Sequence, residues 1–525
     1  METTKKTKVA VSPKHRMILL RWTDKVANII PHAREAAVKG VKLLLVPHKF
    51  EETRLLRNMG YSVPAPVVSQ YDWVHATPFD SQRVTAEMLT MCKRAYVLSG
   101  MGTGKTLASL FAADFLIQTG VIKKVLVVAP LSTLSPTWMN EIFLRFRHRR
   151  AVVLHGTRTR RLARLAEDAD FYIINHDGIA TIFDELQARR DIDLVILDEL
   201  AVYRGANTDR WKRTRLLLEG RRFVWGMTGA PIPNAPTDAY GQIRLLHPHR
   251  VRSFRQFQSD TMIQRSQFTW TPKRNASEYV HDLMKPSVRF KLSDCVDIPE
   301  TTYSTREVVQ SRQQVKFYDT LMDKLAIDWH GHEVTAVNEG VKLGKLLQIA
   351  GGWVYTAEKK VLDLSPTARL RELDAVIEGS ENKVIVFAPY LSACNHIHTH
   401  VSKRWTTALI TSATTKPKRD KIFSEFQMLK EPHVIVAHPG TMSHGLTLTA
   451  ATTIVWYLPS PSLDTYVQAN ARIPRPGQKF KTNIVHLCGT PVEKKVYSRL
   501  ESRQRLQGVL LSMFEGATTE GAEYT

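Results

Sequence analysis

A regular alternation of short apolar runs with helical segments is the feature that most restricts how this chain can fold. Between residues 94 and 229, six runs rich in β-branched residues read as buried strands, and amphipathic segments such as 105–120 and 208–220 separate them. Apolar strands connected by helices are typical of a parallel, doubly wound sheet, because both faces of such a sheet are covered. The six predicted strands are RAYVLS (94–99), KKVLVVAP (123–130), RAVVLHG (150–156), FYIIN (171–175), DLVILDE (193–199) and RRFVWGMTG (221–229).

The same alternation returns in the C-terminal part of the chain. After a long polar and helical stretch that follows Pro248, four more apolar strands are predicted, and a long helix closes the sequence. A chain of 525 residues is too long for one core. We therefore predict an α/β protein with two doubly wound, parallel-sheet lobes. The predicted divisions are an N-terminal accessory module at 1–76, a first lobe at 77–250, a linker with helical insertions at 251–365, a second lobe at 366–515 and a flexible tail at 516–525.

The charge of the chain indicates the kind of partner it has. Apolar residues make up 43% and charged residues 23% of the sequence, as in an ordinary soluble protein, but the formal net charge is +23. An excess of this size favours a polyanionic partner, of which nucleic acid is the commonest, over a surface that is basic only for solubility.

Cysteine usage and hydropathy indicate the compartment. The four cysteines are far apart and form no CxxC pair, which argues against a zinc finger or a disulfide framework and fits a reducing compartment. The N-terminal residues show no signal-peptide pattern, and no stretch approaches the roughly 20 apolar residues of a membrane span. We expect a cytoplasmic protein that has no membrane partner.

A glycine-rich segment between a predicted strand and a predicted helix, SGMGTGKT (99–106), is almost a phosphate-binding P-loop. The usual pattern begins with Gly, whereas this one begins with Ser99 and then ends in Gly-Lys-Thr as required. Glycine N–H groups can approach a phosphate closely, and a helix N-terminus favours an anion. Lys105 would reach the β- and γ-phosphates of ATP, and Thr106 would bind Mg²⁺. The loop residues expected to contact ATP are Gly102, Thr103, Gly104, Lys105 and Thr106.

Two further positions support a nucleotide site. The apolar strand at 193–199 ends in Asp198 and Glu199. In a P-loop enzyme an aspartate at this place holds Mg²⁺, and an adjacent glutamate can activate the attacking water. Upstream, Gln82 stands just before the helix that leads into the first strand, and its amide could both donate to and accept from the edge of adenine.

Taken in order along the chain, these and later motifs resemble the core of helicase superfamily 2, and within it the SWI/SNF-type DNA translocases. The resemblance covers roughly residues 78–515 and rests on an ordered series of motifs. The segments that carry it are SGMGTGKT (99–106), VLVVAPLSTLSPTWMNEI (125–142), LVILDEL (194–200), VWGMTGAPIPNAPTDAYGQIRLLHP (224–248), KVIVFAP (383–389), HGLTLTAATTIVWY (444–457), QANARIPRPGQ (468–478) and GTPVEKKVY (489–497).

The resemblance implies a fold, a site and two cofactors. Members of this family have two RecA-like lobes with ATP and Mg²⁺ in the cleft between them. By this resemblance, Arg472 and Arg475 are expected to act as arginine fingers that stabilise charge in the transition state, and Lys105 and Glu199 complete the catalytic set. The residues that the resemblance assigns to DNA contact or coupling are Thr228, Gly229, Gly445, Thr447 and Gln468.

The sequence also departs from the family pattern. Asp198-Glu199 usually continues Ala-His, but here Leu200 and Ala201 follow, so the histidine that links the nucleotide to the next motif is missing. The arginine motif likewise has Pro474 where histidine is common. These details are most similar to compact bacteriophage-encoded members related to annealing helicases.

The resemblance implies a DNA-dependent ATPase that translocates on double-stranded DNA and remodels or anneals branched or protein-bound DNA. Its expected partners are double-stranded or branched DNA and other replication or recombination proteins, in the cytoplasm of a bacterial host if the chain is phage-encoded. Two alternatives stay open. One is a helicase that separates strands of DNA or RNA, and the other is a DNA-binding scaffold with weak ATPase activity, which the missing histidine would suit.

Three other features allow two interpretations each. The basic clusters RFRHRR (145–150) and TRTRRLARL (157–165) could contact DNA phosphates or form solvated helix faces. The segment 41–64 reads as a strand and a helix, which could be an accessory module or a cap on the first lobe. Trp138, Trp225 and Trp456 lie beside core strands and are expected in the core rather than as platforms for bases.

Overall fold

The computed structural model describes most of the chain and divides it into two compact units. One unit comprises the described residues up to Cys295 together with those from Gln507 onward, and the other comprises Val296–Leu506. The described residues are 7–514 except Lys39, 74–76, Phe268, Leu325, 330–331, 336–338, Ala357, Lys359 and 443–446.

The N-terminal module contains a four-stranded antiparallel sheet with helices on one face. Alternate residues of its strands, such as Ile18 and Leu44, are fully buried in a small core of their own. In spatial order the strands are Ala10–Ser12, Met17–Arg21, Val41–Pro47 and Arg34–Val38; the helices are Asp24–Ile29, Phe50–Asn58 and Pro66–Gln70, and a short parallel pair joins Thr7–Lys8 to Tyr61–Ser62.

A buried ion pair joins this module to the first lobe. Arg57 Nη2 lies 2.6 Å from Glu87 Oε1, and the two side chains are about nine-tenths buried. Arg57 also donates to the carbonyl of Val63 at 2.7 Å, and the Ala65 N–H donates to Glu87 Oε1 at 3.0 Å. Breaking such a pair would leave a buried charge without its partner, so the pair fixes the module against the first lobe. Whether the module is an accessory unit or a cap stays a prediction.

A seven-stranded, wholly parallel sheet forms the core of the first lobe, and it contains all six predicted strands. In spatial order its strands are Ser287–Val288, Arg94–Val97, Phe223–Met227, Ile192–Asp198, Lys124–Ala129, Phe171–Asn175 and Ala151–Leu154. Its α-helices are Asp80–Met91, Lys105–Gln118, Asn140–Arg145, Arg158–Ala166, Phe183–Ala188, Asp209–Leu218, Ala239–Leu246, Phe254–Thr261 and Ala276–Leu283, and a hairpin pairs Met262–Gln264 with Trp270–Pro272.

A six-stranded parallel sheet forms the core of the second unit. In spatial order its strands are Thr301–Glu307, Thr482–Cys488, Ala451–Trp456, Lys383–Phe387, Val434–Ala437 and Thr407–Ile410. Its helices are Arg312–Lys324, Glu339–Gly351, Thr367–Glu378, Leu391–Val401, Lys416–Met428, Leu463–Asn470 and Pro491–Ser512, and two hairpins pair Ala326–Trp329 with His332–Thr335 and Trp353–Tyr355 with Val361–Asp363. The α/β class and the two doubly wound, RecA-like lobes are therefore as predicted.

The structure divides the chain differently from the sequence boundaries. Within the segment 251–365, predicted as a linker with helical insertions, Ser287–Val288 adds an edge strand to the first sheet and Thr301–Glu307 adds one to the second. The first of these strands has only two residues. The second is polar and mostly exposed, so neither has the apolar pattern by which strands are recognised.

A fully buried ion pair joins the last helix of the second unit to the helix Thr367–Glu378. Arg369 Nη2 lies 2.7 Å from Glu493 Oε1, with side-chain exposures of 1% and 0%. Glu493 Oε2 accepts from the Thr490 hydroxyl and from the N–H groups of Gly489 and Thr490, each at 2.9 Å. Both oxygens of the Glu493 carboxylate thus have hydrogen-bond donors, as a buried charge requires.

The four cysteines are free thiols. Within the part of the chain that the structure describes, no helix combines the length and the apolar character needed to cross a bilayer.

Candidate nucleotide site

The phosphate loop lies between the strand Arg94–Val97 and the helix Lys105–Gln118, as predicted. Gly102 and Gly104 have φ angles of 80° and 77°, a conformation that glycine adopts without steric cost. At Gly104 a Cβ atom would also lie 2.1 Å from Gln82 Nε2. Gly104 caps the following helix, so the loop directs backbone N–H groups and the positive end of a 14-residue helix toward the same place.

Lys105 lies against the front of this loop. Its ammonium group donates to the carbonyl oxygens of Ser99 and Gly100, each at 2.9 Å. The Thr103 hydroxyl donates to the Gly100 carbonyl at 2.8 Å, and its side chain is buried. Thr106 begins the first turn of the helix beside Lys105. The structure thus brings the predicted phosphate-binding residues together in one loop.

Ser99, which replaces the usual first glycine, makes a contact of its own. Its buried hydroxyl accepts a hydrogen bond from the Phe290 N–H at 3.1 Å. Backbone bonds continue along the same edge, from the Gly100 N–H to the Phe290 carbonyl and from the Leu98 N–H to the Val288 carbonyl, each at 2.8 Å. Ser99 therefore ties the front of the phosphate loop to the residues that follow the edge strand Ser287–Val288.

Asp198 ends a central strand and is partly buried. Its Oδ2 accepts from the indole N–H of Trp138 at 3.0 Å, and its Oδ1 accepts from the Glu199 N–H at 3.0 Å. Burial raises the pKa of Asp198 above its usual range, and the Trp138 hydrogen bond and the Lys105 charge oppose that rise. A divalent cation would relieve the same desolvation cost, so the environment suits a metal-binding carboxylate.

Trp138 makes a contact with this carboxylate that the sequence did not predict. It is fully buried, as expected for a core residue, but its indole N–H is directed at Asp198. It lies in a π-helical turn, Leu134–Met139, a rare form that is frequent at functional sites. The signal for this contact in the sequence was the position of Trp138 inside the segment 125–142, which resembles a family motif.

Glu199 has a backbone conformation that is unusual for its residue type. Its φ angle is 55°, in the left-handed region that costs a side chain free energy. The Thr228 hydroxyl donates to Glu199 Oε1 at 3.5 Å, the long limit of a hydrogen bond. Thr228 is itself fixed, because its N–H donates to the Val97 carbonyl at 3.0 Å and its Oγ1 accepts from the Ala230 N–H at 3.1 Å. The turn thus connects the Asp-Glu pair directly to the motif that contains Thr228.

This direct contact occurs where the family histidine is absent. Leu200 is fully buried, and a Cβ atom on Gly226 would lie 2.6 Å from its Cδ2. Ala201, at the histidine position, is 2% exposed. The two residues pack in the core, and the Thr228 hydroxyl contacts Glu199 directly.

Gln82 is bound to the phosphate loop. Its side chain is buried, its Oε1 accepts from the Phe79 N–H at 2.9 Å, and its Nε2 donates to the Gly104 carbonyl at 3.3 Å. In this arrangement both the oxygen and the nitrogen of the Gln82 amide form hydrogen bonds with the backbone. Recognition of adenine by Gln82 stays a prediction.

The second unit holds the arginine motif at the end of the helix Leu463–Asn470. Gln468 is buried and donates to Asp464 Oδ1 at 3.0 Å. Arg472 is buried, and its carbonyl accepts from the Leu448 N–H at 3.0 Å. Arg475 donates from Nε to the Ala471 carbonyl at 2.7 Å, and burial lowers its pKa to about 10.

Gln478 fixes the end of this motif, and the remaining predicted contacts lie before it. The Gln478 amide donates to the carbonyls of Thr449, Ala451 and Ile473 at 3.0–3.2 Å. Thr447 is exposed, and Gly445 lies outside the described residues.

The basic clusters of the first lobe are largely engaged in ion pairs within the protein. Arg149 Nε lies 2.6 Å from the fully buried Asp114, and Arg145 lies 2.8 Å from Glu141. Arg161 is buried and donates to the carbonyls of Leu154 and Gly156. These arginines therefore stabilise the lobe, and the solvated or structural interpretation fits them better than a row of free DNA contacts.

A P-loop, a strand-end Asp-Glu pair and a second parallel-sheet lobe that bears an arginine motif together define an ATPase of helicase superfamily 2. Sequence-family comparison gives the same result: residues 83–350 match the SNF2-related domain, and residues 368–477 match the helicase conserved C-terminal domain. The chain belongs to the SNF2-related family. The family expected from the sequence motifs is thereby confirmed.

Individual relatives come from phages and from eukaryotes. The chain is 24% identical to "Putative protein p41" of Acyrthosiphon pisum secondary endosymbiont phage 1, over 83% of this chain and 98% of the relative. It is 22% identical to the ISWI chromatin-remodeling complex ATPase CHR11 of Arabidopsis thaliana, over 78% of this chain. It is also 22% identical to the SWI/SNF-related matrix-associated actin-dependent regulator of chromatin subfamily A-like protein 1 of Xenopus tropicalis, over 75% of this chain. The match spans 40% of the length of each of these two eukaryotic proteins.

Among solved structures, the chain is similar to the Sulfolobus solfataricus SWI2/SNF2 ATPase core in complex with dsDNA. The identity is 19% and the TM-score is 0.39, over 86% of this chain and 98% of that chain.

Proposed function

We propose that this protein is a DNA-dependent ATPase that translocates on double-stranded DNA and remodels or anneals branched or protein-bound DNA in phage DNA metabolism. Membership of the SNF2-related family and the nucleotide site of the first lobe support ATP hydrolysis. The net charge of +23 supports a polyanionic partner. The phage relative supports a place of action in the cytoplasm of a bacterial host.

The observation that carries the proposal is the arrangement of Lys105, Asp198 and Glu199 around one loop. The ammonium of Lys105 contacts the loop carbonyls, and the partly buried carboxylate of Asp198 has a pKa raised by desolvation. These groups fit the triphosphate of ATP and a divalent cation. Mg²⁺, when bound by Thr106 and Asp198, would neutralise negative charge on the phosphates.

The protein's own residues would perform the remaining tasks. Backbone N–H groups of Gly102 and Gly104 would bind phosphate oxygens, and Glu199 would accept a proton from the attacking water. The contact between Thr228 and Glu199 would report the state of the nucleotide to the neighbouring motif. Arg472 and Arg475 are assigned the arginine-finger role, which stabilises charge as the phosphoryl group is transferred.

The first test is DNA-stimulated ATP hydrolysis by the full chain and by Lys105→Ala. We expect duplex DNA to stimulate the wild-type protein and the variant to lose at least 100-fold in rate while it still binds DNA, because removing one transition-state donor typically costs this much. Lys123→Ala is the matched control, since Lys123 is an exposed lysine of the same lobe that lies outside the phosphate loop. Wild-type turnover in Lys105→Ala would refute the site.

The second test separates translocation from the two alternatives. A translocase should displace a third strand from a triplex in an ATP-dependent reaction and leave the duplex closed. Unwinding of a forked duplex at the same rate would identify a strand-separating helicase instead. DNA binding without DNA-stimulated hydrolysis would identify a scaffold. Parallel ATPase measurements with single-stranded, duplex and forked DNA, and with RNA, would define the nucleic acid that the protein acts on.

A further inference from the structure

A large basic groove lies within the first lobe, and none of its lining residues belongs to the phosphate loop. Its volume is about 950 Å³, and its walls are the turn 204–208, the helices Asp209–Leu218 and Ala239–Leu246, and residues 252–254. Polar groups of Asn207, Thr208 and Thr237 also line it. None of the family motifs used above assigns a ligand to this groove.

Cations dominate the groove. Arg204, Lys212, Arg215, Arg244 and Arg252 all line it. Of these five side chains, only Arg215 has a carboxylate partner among the described residues, at an exposed contact of 3.6 Å. The one acidic lining residue, Asp238, uses Oδ2 to accept from two backbone N–H groups at 2.7 and 3.3 Å. The groove therefore has a large excess of positive charge available to an anion.

Part of this surface is held in place before any ligand binds. The Arg244 guanidinium is held by the protein itself, because it donates to the Tyr240 hydroxyl at 2.7 Å and to the Arg252 carbonyl. Tyr240 is buried, and its ring meets the ring of Phe254 edge to face at 5.4 Å. Phe254 is nevertheless 47% exposed, so a fixed aromatic ring stands beside the cations at the edge of the groove.

We propose that this groove binds a segment of single-stranded DNA. Several cations along a groove match successive phosphates, and a fixed exposed ring offers a stacking platform to a base, the two features by which proteins hold single strands without sequence preference. A duplex keeps its bases stacked inside and could use only the cations. The proposal rests on the proposed function because it takes DNA as the substrate, but it does not depend on ATP hydrolysis. A branched substrate would supply the single strand.

The test measures binding of a fluorescent 20-nucleotide oligo(dT) to the full-length protein by anisotropy, without ATP and over a range of salt concentrations. The double variant Arg204→Ala/Arg252→Ala should bind at least tenfold more weakly. Its slope of log affinity against log salt should fall by about 1.4, because each phosphate contact on a single strand contributes about 0.7. Phe254→Ala should bind oligo(dT) at least about fivefold more weakly, with little change in the slope of log affinity against log salt. Thymidine monophosphate should not compete.

Matched controls make the result specific. Arg213→Ala removes an exposed arginine of the same helix that does not line the groove, and Phe143→Ala removes a phenylalanine that is 67% exposed elsewhere on the lobe. Both should bind oligo(dT) like the wild type, and all variants should keep the wild-type melting temperature.

Unchanged oligo(dT) affinity in the groove variants would overturn the proposal, and so would an equal loss of affinity for a blunt duplex, which would identify a duplex-binding surface. The outcome is independent of the proposed function, because Lys105→Ala should retain oligo(dT) binding while the groove variants retain duplex-stimulated ATPase activity.

Discussion

Replacing Trp138 by Phe should weaken the proposed binding of Mg²⁺ by Asp198 without changing Asp198 itself. The indole N–H of the fully buried Trp138 donates to the partly buried Asp198 Oδ2 at 3.0 Å. A hydrogen bond to a charged group contributes about 1.5–3 kcal/mol. Losing this bond should therefore raise the pKa of Asp198 further.

The sign of the effect follows from the present environment of Asp198. Burial already raises its pKa, and the Trp138 bond opposes that rise. Without the bond, protons compete better with Mg²⁺ for the carboxylate. The acidic limb of the pH–rate profile should therefore move to higher pH, and the Mg²⁺ concentration for half-maximal activity should rise by about tenfold or more at a pH on that limb, since about 1.4 kcal/mol is a factor of ten.

The assay is DNA-stimulated ATPase activity measured against pH and Mg²⁺ concentration. Trp225→Phe provides the control, since Trp225 is also fully buried in the first lobe and donates to the Cys92 carbonyl at 3.2 Å rather than to a catalytic group. Both variants lose the same side-chain volume and one hydrogen bond. If Trp138→Phe shows the same acidic limb and the same Mg²⁺ requirement as Trp225→Phe, the positioning role of Trp138 is refuted.

Two further substitutions test the fold and the loop. Glu493→Ala should lower the free energy of unfolding of the second unit by about 3–5 kcal/mol, because Arg369 would stay buried without its carboxylate; in urea titrations Arg369→Met/Glu493→Leu should recover most of the loss, and equal stability of the two variants would contradict the argument. Gly104→Ala should abolish ATP binding measured by calorimetry, because φ is 77° and the new Cβ would clash with Gln82. Gly120→Ala, at φ 69° with open space around it, should cost stability but leave ATP affinity unchanged.

The sequence predicts those parts of the site that are local in the chain. The phosphate loop needs a strand, two glycines and a helix within about a dozen residues, and the Asp-Glu pair needs one apolar strand. Each of these patterns is visible in a short window, because the physical requirement is satisfied by neighbours along the chain. The structure places both where the pattern indicates.

The contacts that the sequence does not reveal join distant segments. Ser99 and Phe290 are 191 residues apart, and Trp138 and Asp198 are 60 apart. The sequence around Ser99 or Trp138 does not identify the residue that it bonds to, since a buried hydroxyl or indole can bond to any suitable donor or acceptor. The exposed edge strand Thr301–Glu307 escaped recognition for a related reason: its pairing with Thr482–Cys488 is formed by backbone atoms, which every residue has.

The attachment of residues 286–290 to the phosphate loop has a mechanical consequence. Tyr96, Leu98 and Gly100 each donate a backbone hydrogen bond to this segment, and the Phe290 N–H returns one to Ser99. Only a few residues later, after Cys295, the polypeptide leaves the first unit. Any displacement of the front of the loop must therefore either carry the outgoing chain with it or break these bonds. A shift of the loop is thereby passed to residues 286–290, which lie a few residues before one of the two points at which the polypeptide passes between the units.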